Sequence, residues 1–582
     1  MGTISDKLMR IINTKEDIRQ ALISKGYDVP TSIPFKEYAK MILDLPCKVD
    51  SFPDIEGIVA RYSASGLTNE QMAANPVWVD KTGNGYDLQL KNFSWKGMSG
   101  VGGYVGDFSK WVNNRDTTEI GITKSNSKVI IDVKVSQGSG KNIVFISKSN
   151  LGISNNVTIK ITSTYPEGVM KFANSASNKY LKLPSNGIIT LQDNPEYTSN
   201  EMHLHLASAD LGQITIEQLP LYPGALVFDG VDDWAGCDNL PLLPKEKGYS
   251  IIALRNWITR YDATQYKRPL ISNLDTNDEG AFLIEYRKDE NVNDVTGSYN
   301  SFTDVYIDDN NPITWQTSSS YNGQIIKKGT SKSANKLCIC KTYFGQLSNY
   351  ANAAIWEIVI LDHDATEEEL TKIKDYFVKT YPWLFPDQAW TVVGKTNEDE
   401  DRATIANITG NGNDLVCLNL GFIEGSGYNE EGEYAGYLVT DGVDDKITSS
   451  TFEMGNDWTV IGDWELINTG KKDNAGIVKF DSIVIYNYNP ILINIKNGRN
   501  NLIPDQNTVN AICSDGRIYS KDWKESIYNE ETESTSKNLL TIGYSGNSYT
   551  KIAFKNLAIY PTVLSREDCI KAYNYLQTLK AK

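Results

Sequence analysis

The sequence predicts a mainly β chain built as tandem sandwiches, one carrying an inserted β-sandwich domain, behind a short helical N-terminal segment. Three observations predict it. The composition is that of strands and turns: 582 residues hold 32 Tyr, 12 Trp and 44 Gly, with Asn/Ser clusters between short apolar runs. Two sequence motifs occur twice in the same order. The distance between them differs between the copies by the length of a domain. The chain length favours several domains over one, and 40% hydrophobic with 22% charged residues excludes a mainly disordered chain.

The N-terminal segment, residues 1–50, reads as three short helices. Leu8, Ile11 and Ile12 repeat at helical spacing. Thr14-Lys15-Glu16-Asp17 matches a capping box that opens a helix through Ile18, Ala21 and Leu22, with Gly26 to end it. Ser32 and Pro34 then look like a cap and first turn ahead of the stripe Phe35, Tyr38, Ala39, Ile42. So short a helical piece makes little core alone. Its apolar faces are expected to pack on this chain's β domains or on other subunits, as an assembly or docking element.

The repeat sets the architecture. Thr82-Gly83-Asn84-Gly85-Tyr86-Asp87-Leu88 returns as Thr409-Gly410-Asn411-Gly412-Asn413-Asp414-Leu415, an offset of 327. Leu226-Val227-Phe228-Asp229-Gly230-Val231-Asp232-Asp233 returns as Leu438-Val439-Thr440-Asp441-Gly442-Val443-Asp444-Asp445, an offset of 212. Both copies close on a strand and a capped helix, opened by Thr366-Glu367-Glu368-Glu369 in one and Ser565-Arg566-Glu567-Asp568 in the other. The two offsets leave 115 more residues between the motifs of the first copy, so a guest module is expected within 107–223. That stretch alternates like strands, as in Val129/Ile131/Val133/Val135 and Val157/Ile159/Ile161. The predicted organisation is 1–50, a first split module at 54–106 and 224–385, the insert at 107–223, and a second module at 386–582.

The repeated motifs read first as backbone devices. Their glycines permit positive φ, and Asp87 and Asp414 are placed to cap local amides. Asp229-Gly230 and Asp441-Gly442 suit tight hairpin turns. Each turn is expected to anchor its Val inward and to face its two following carboxylates outward. Asp232, Asp233, Asp444 and Asp445 are then the candidate metal ligands. Paired acids at a turn are more often solvated or capping, and calcium needs several oxygens converging from separate loops.

Charge and cysteine usage narrow the partners. The net charge of −16 opposes nucleic acid and anionic lipid, and no apolar run reaches membrane-spanning length. The opening MGTISDKLMR has no signal-peptide core, which predicts no export by that route. The 7 Cys form no metal or redox pattern and fit buried thiols in a reducing compartment. No catalytic residue is predicted. The chain has no E-x-D-x-x-E pair for a jelly-roll glycosidase, no nucleophile elbow, and only 3 His. Asp275-x-Asn277-x-Glu279-Gly280 imitates a calcium loop but carries Tyr286 where the bidentate Glu belongs.

The paired strings LVFDGVDDW and LVTDGVDD, with TGNGxDL ahead and a strand and capped helix behind, resemble laminin-G-like, concanavalin A-like lectin domains. The resemblance implies jelly-roll sandwiches that often bind glycans, sometimes with calcium, and often serve only as adhesive modules. The N-terminal KLMRIINTKEDIRQALISKGYDVPTSIPFKEYAKMI, with ITIEQLPLYPGALVFDGVDD at 214–233, is similar to elements of tailed-phage fibre proteins. This implies a non-enzymatic structural protein of the virion, in a tail fibre or head fibre. Its partners would be other virion proteins and host glycans, and it would form a homo-oligomer, a trimer by resemblance. A glycan depolymerase and a purely architectural collar or decoration protein are the rival readings. Glycan contacts are expected on the loops beside the turns, with Asp229, Asp441 and Trp234 as candidates. Trp234, Trp257 and Trp464 are at least as expected in the core as on the surface, so the loops rank before any tryptophan.

Overall fold

The two longest described strands become the centres of the two largest sandwiches. Asn352–Leu361 and Ile552–Tyr560 are buried along almost their whole length, because both faces of each are covered. The computed structural model describes Lys15 and residues 52–581, apart from residue 433 and stretches within 106–210, 244–348 and 468–547. The predicted helical head lies outside the described residues, save Lys15, which is helical. The chain is mainly β, in antiparallel layers, with one parallel pairing between Leu283–Arg287 and Phe302–Asp304 among the described strands. No described helix is long and apolar enough to cross a membrane.

The first module packs a six-stranded sheet on a seven-stranded one. Asn352–Leu361 is flanked on one side by Ser250–Trp257 and on the other by Leu226–Asp229 and Ile58–Ser63, end to end. Facing it, Trp234–Cys237 lies between Leu88–Lys91 and Leu337–Ile339. Trp78, Leu90, Phe228, Ala235, Ile251 and Ile339 fill the space between the layers. The second module repeats this around Ile552–Tyr560, with Thr459–Leu466 on one side and Leu438–Val439 and Gln388–Thr391 on the other. The central pairing slips register at matching places, between Leu254 and Arg255 and between Asp463 and Trp464.

Between the halves of the first module, the described strands from Val112–Asn113 to Gly212–Gln218 form two separate five-stranded sheets, with no described strand pairing to either module. This is the inserted sandwich. Its stem is tied by Asn126, whose Oδ1 accepts the Gly97 N–H (2.9 Å), and by Gln218, whose Oε1 accepts the Val105 N–H (3.0 Å).

Two capped helices, at Glu367–Thr380 and Arg566–Leu576, join the modules. Thr366 and Glu369 close a reciprocal capping box, and the Ser565 hydroxyl accepts the Asp568 N–H. The apolar faces of both helices enter one continuous core with residues of both central sheets. There the Trp356 ring meets Tyr575 edge-on at 6.3 Å, and its Nε1–H donates to Pro223 O (2.8 Å). A buried ion pair, Arg61 to Glu357 at 3.4 Å, also lies at this layer, and the Tyr381 hydroxyl donates to Glu357 at 2.7 Å.

Candidate functional site at the layer-crossing turns

Each repeated Asp-Gly-Val-Asp-Asp segment carries the chain from one sheet to the other. Leu226–Asp229 belongs to the six-stranded layer and Trp234–Cys237 to the seven-stranded one. The expected hairpin is therefore an arch, and its side chains are inverted relative to expectation. Val231 and Val443 are 73% and 72% exposed, whereas Asp233 and Asp445 are fully buried.

Hydrogen bonding explains the inversion. Asp229 Oδ1 accepts the N–H groups of Val231 (2.8 Å), Asp232 (3.3 Å) and Asp233 (3.4 Å), which curls the loop about that carboxylate and turns Val231 outward. Asp233 Oδ2 accepts the Asp229 N–H in return, at 3.1 Å, which draws the second acid inside. Asp441 and Asp445 repeat the pattern, and Asp445 Oδ2 also accepts the Ser426 hydroxyl at 2.7 Å. Gly230 has φ +76, and a Cβ there would meet the Asn352 backbone at 3.0 Å. Asn92 and Asn419, outside the motifs, donate their side-chain amides to Asp232 O and Asp444 O. Asp87 and Asp414 accept the N–H groups of Asp80 and Asn407, each at 2.8 Å.

Burial pushes the Asp233 carboxyl up to about 7, against a hydrogen bond from Ser99 that lowers it. Asp445 is raised for the same reason. One carboxylate oxygen each from Asp229, Asp232 and Asp233, and likewise from Asp441, Asp444 and Asp445, lie within 4.8 Å of one another. These groups do not fit a resident calcium ion. Calcium takes six to eight oxygens, whereas each cluster gathers three carboxylates, with Asp229 Oδ1 and Asp233 Oδ2 serving backbone N–H groups and Asp233 Oδ1 and Asp445 Oδ1 buried without a hydrogen-bond partner among the described residues. Asp229 and Asp441 likewise hold backbone N–H groups, each through its Oδ1.

Beside the first turn lies an aromatic patch on the outer face of the seven-stranded sheet. Ala235 and Cys237 point into the core, so Trp234 points out. It lies over Gly236, where a Cβ would come within 2.7 Å of the indole. Phe344 stands edge-on to it at 5.6 Å and 88°. Lys341 Nζ sits 4.1 Å from the centre of the Trp234 ring and 5.8 Å from that of Tyr350. Burial lowers the Lys341 pKa. Burial and then the Asp232 charge raise that of Tyr350, which ties patch to turn. Trp234 is half-buried, while Trp257 and Trp464 belong to the core. Lys341, Phe344 and Tyr350 escape sequence reading because they arrive about a hundred residues after the turn. Carrying the repeat past its second motif would have found them: Lys341 and Tyr544 each follow a residue of positive φ, Cys340 and Gly543, and Tyr350 and Tyr549 pair back to them.

No family profile matches the chain, and no curated protein does. Among solved structures, domain 4 of the extracellular arabinanase AbnA from Geobacillus stearothermophilus, in complex with arabinotriose, aligns with 32% of this chain and 100% of its own, at 11% identity and a TM-score of 0.21. Trypanosoma rangeli sialidase aligns with 79% of this chain and 85% of its own, at 7% identity and a TM-score of 0.25. A truncated AlyQ with CBM32 and alginate lyase domains covers 58% and 91%, at 12% and 0.18. Scores this low carry no argument about the chain's activity. The architecture itself defines a multi-module antiparallel β-sandwich protein.

Proposed function

We propose that this is a non-enzymatic adhesive and scaffolding protein whose sandwiches hold saccharides on their outer faces. The carrying observation is the half-buried Trp234 with Phe344 edge-on beside it, an aromatic platform of the kind that stacks on sugar C–H faces. A non-catalytic role is supported by the clustered carboxylates, which serve the backbone of the turns. The N-terminal sequence resemblance supports the narrower reading of a tailed-phage tail-fibre or head-fibre component, docked through residues 1–50 in a homotrimer within the virion. The shared core of the two modules suits such a part, since it fixes them as one stiff unit.

The test is a glycan array probed with the full chain and with Trp234→Ala. Binding to a defined subset of glycans, weakened about tenfold in the variant, is expected. A flat array, or a pattern unchanged in the variant, overturns the reading. Release of new reducing ends from a bound polysaccharide would replace it with the depolymerase.

A further inference from the structure

The two modules do not carry the same outer face, and the way they differ points to the ligand. After the Asp-Gly-Val-Asp-Asp turn the first module has Trp234 and the second Lys446. On the neighbouring strand end the first has Lys341 and the second Tyr544. The cation and the ring have exchanged positions, yet the pair is kept: Lys341 Nζ lies 4.1 Å from the Trp234 ring and Lys446 Nζ lies 5.2 Å from that of Tyr544. A second ring stands by in both, Tyr350 beside Lys341 and Tyr549 at 4.8 Å from Tyr544.

Among the described residues, neither ammonium has a counter-charge. Among the described residues, Lys341 and Lys446 make no ion pair and no side-chain hydrogen bond, although Lys341 is only 7% exposed. A lysine that far from water is ordinarily paired with a carboxylate. In a chain of net charge −16 acids are plentiful, and among the described residues these two positions still lack one.

We propose that each module's patch binds a carboxylate-bearing sugar, its ring on the aromatic side chain and its carboxylate on the lysine, at Trp234/Lys341 in one and Tyr544/Lys446 in the other. The inference rests on the saccharide-binding reading and sharpens it to a substrate class. An ammonium beside an aromatic face matches a sugar acid in both parts: the ring takes the C–H face and the cation takes the charge. Two patches on one stiff unit add avidity for a glycan that displays the sugar repeatedly.

The experiment measures binding of the full chain to matched pairs: glucuronate-, galacturonate- and sialate-terminated oligosaccharides against their methyl esters, which keep the skeleton and lose the charge. An acid is expected to bind at least tenfold more tightly than its ester. Lys341→Met should remove that advantage at one site and Lys446→Met at the other, and 0.5 M NaCl should shrink it. Acid and ester bound equally, both lost in Trp234→Ala, would overturn this inference and leave the saccharide reading standing. Binding of none of the acids overturns the inference, and an array flat for neutral glycans as well removes both readings. Thermal midpoints of the lysine variants supply the control: a lowered midpoint with unchanged acid preference assigns the lysines to packing and also overturns it.

Discussion

The two copies of the layer-crossing turn agree to about 0.1 Å in the bonds that curl the loop about its first Asp, and diverge where they meet solvent. Asp229 Oδ1 accepts its first amide at 2.8 Å and Asp441 Oδ1 at 2.7 Å, the second at 3.3 Å in both, the third at 3.4 Å in both. Gly230 and Gly442 have φ 76 and 77. One residue further on, Trp stands against Lys. The frame answers to a hydrogen-bond count that admits few solutions, whereas the outer face answers to whatever it touches. A shared motif therefore need not be the functional one, and the residues beside it carry the specificity.

A second contrast lies at the central strands. Glu357, fully buried, pairs with Arg61 and accepts from Tyr381. The equivalent position opposite the second module's register slip is Asn556, also fully buried, with no charged partner. Glu357→Ala removes the carboxylate that pairs with the buried Arg61 guanidinium and should cost about 3–5 kcal/mol in chemical denaturation. Asn556→Ala should cost far less. Equal losses would erase this contrast.

Next in size is the inverted turn. Asp445→Ala removes the acceptor of the half-buried Asp441 N–H and Ser426 hydroxyl and should cost about 1–3 kcal/mol in all. Val443→Ser, at a position 72% exposed, should change stability by no more than about 0.5 kcal/mol. The reverse order would restore the inward valine that the sequence suggested.

The smallest effect is on pH. Asp233 titrates at about 7 in the folded chain, against an ordinary value of 3.8. Between those values the native state holds a proton that the unfolded chain has released. Its contribution is therefore full below about pH 4 and is lost as the pH rises through 7. The thermal midpoint should fall over that interval. Asp233→Asn, which mimics the neutral acid, should flatten the fall relative to wild type, and an unaltered slope would contradict the assignment.

How far the sequence could be read follows from how local each determinant is. The sandwiches and their terminal helices were legible because strand alternation, Thr366/Glu369 and Ser565/Asp568 act within a few residues. The inserted strands showed through the unequal spacing of two motifs. The turn was misread because Asp-Gly favours a hairpin only when both flanking strands lie in one sheet, and here they lie in two. The platform was half legible: Trp234 adjoins the motif, but Lys341, Phe344 and Tyr350 reach it only through the pairing of Trp234–Cys237 with Leu337–Ile339. The core shared by the two modules, with Trp356 on Tyr575, joins residues more than two hundred positions apart and left no local trace.

The most direct test of the division between frame and face measures glycan-array binding and the thermal midpoint together, for Trp234→Ala and Asp233→Asn in the full chain. The account predicts that Trp234→Ala loses binding about tenfold with its midpoint nearly unchanged, while Asp233→Asn keeps wild-type binding and alters only the pH dependence of its midpoint. Binding that survives Trp234→Ala, or disappears in a folded Asp233→Asn, would place the function in the turn and contradict it.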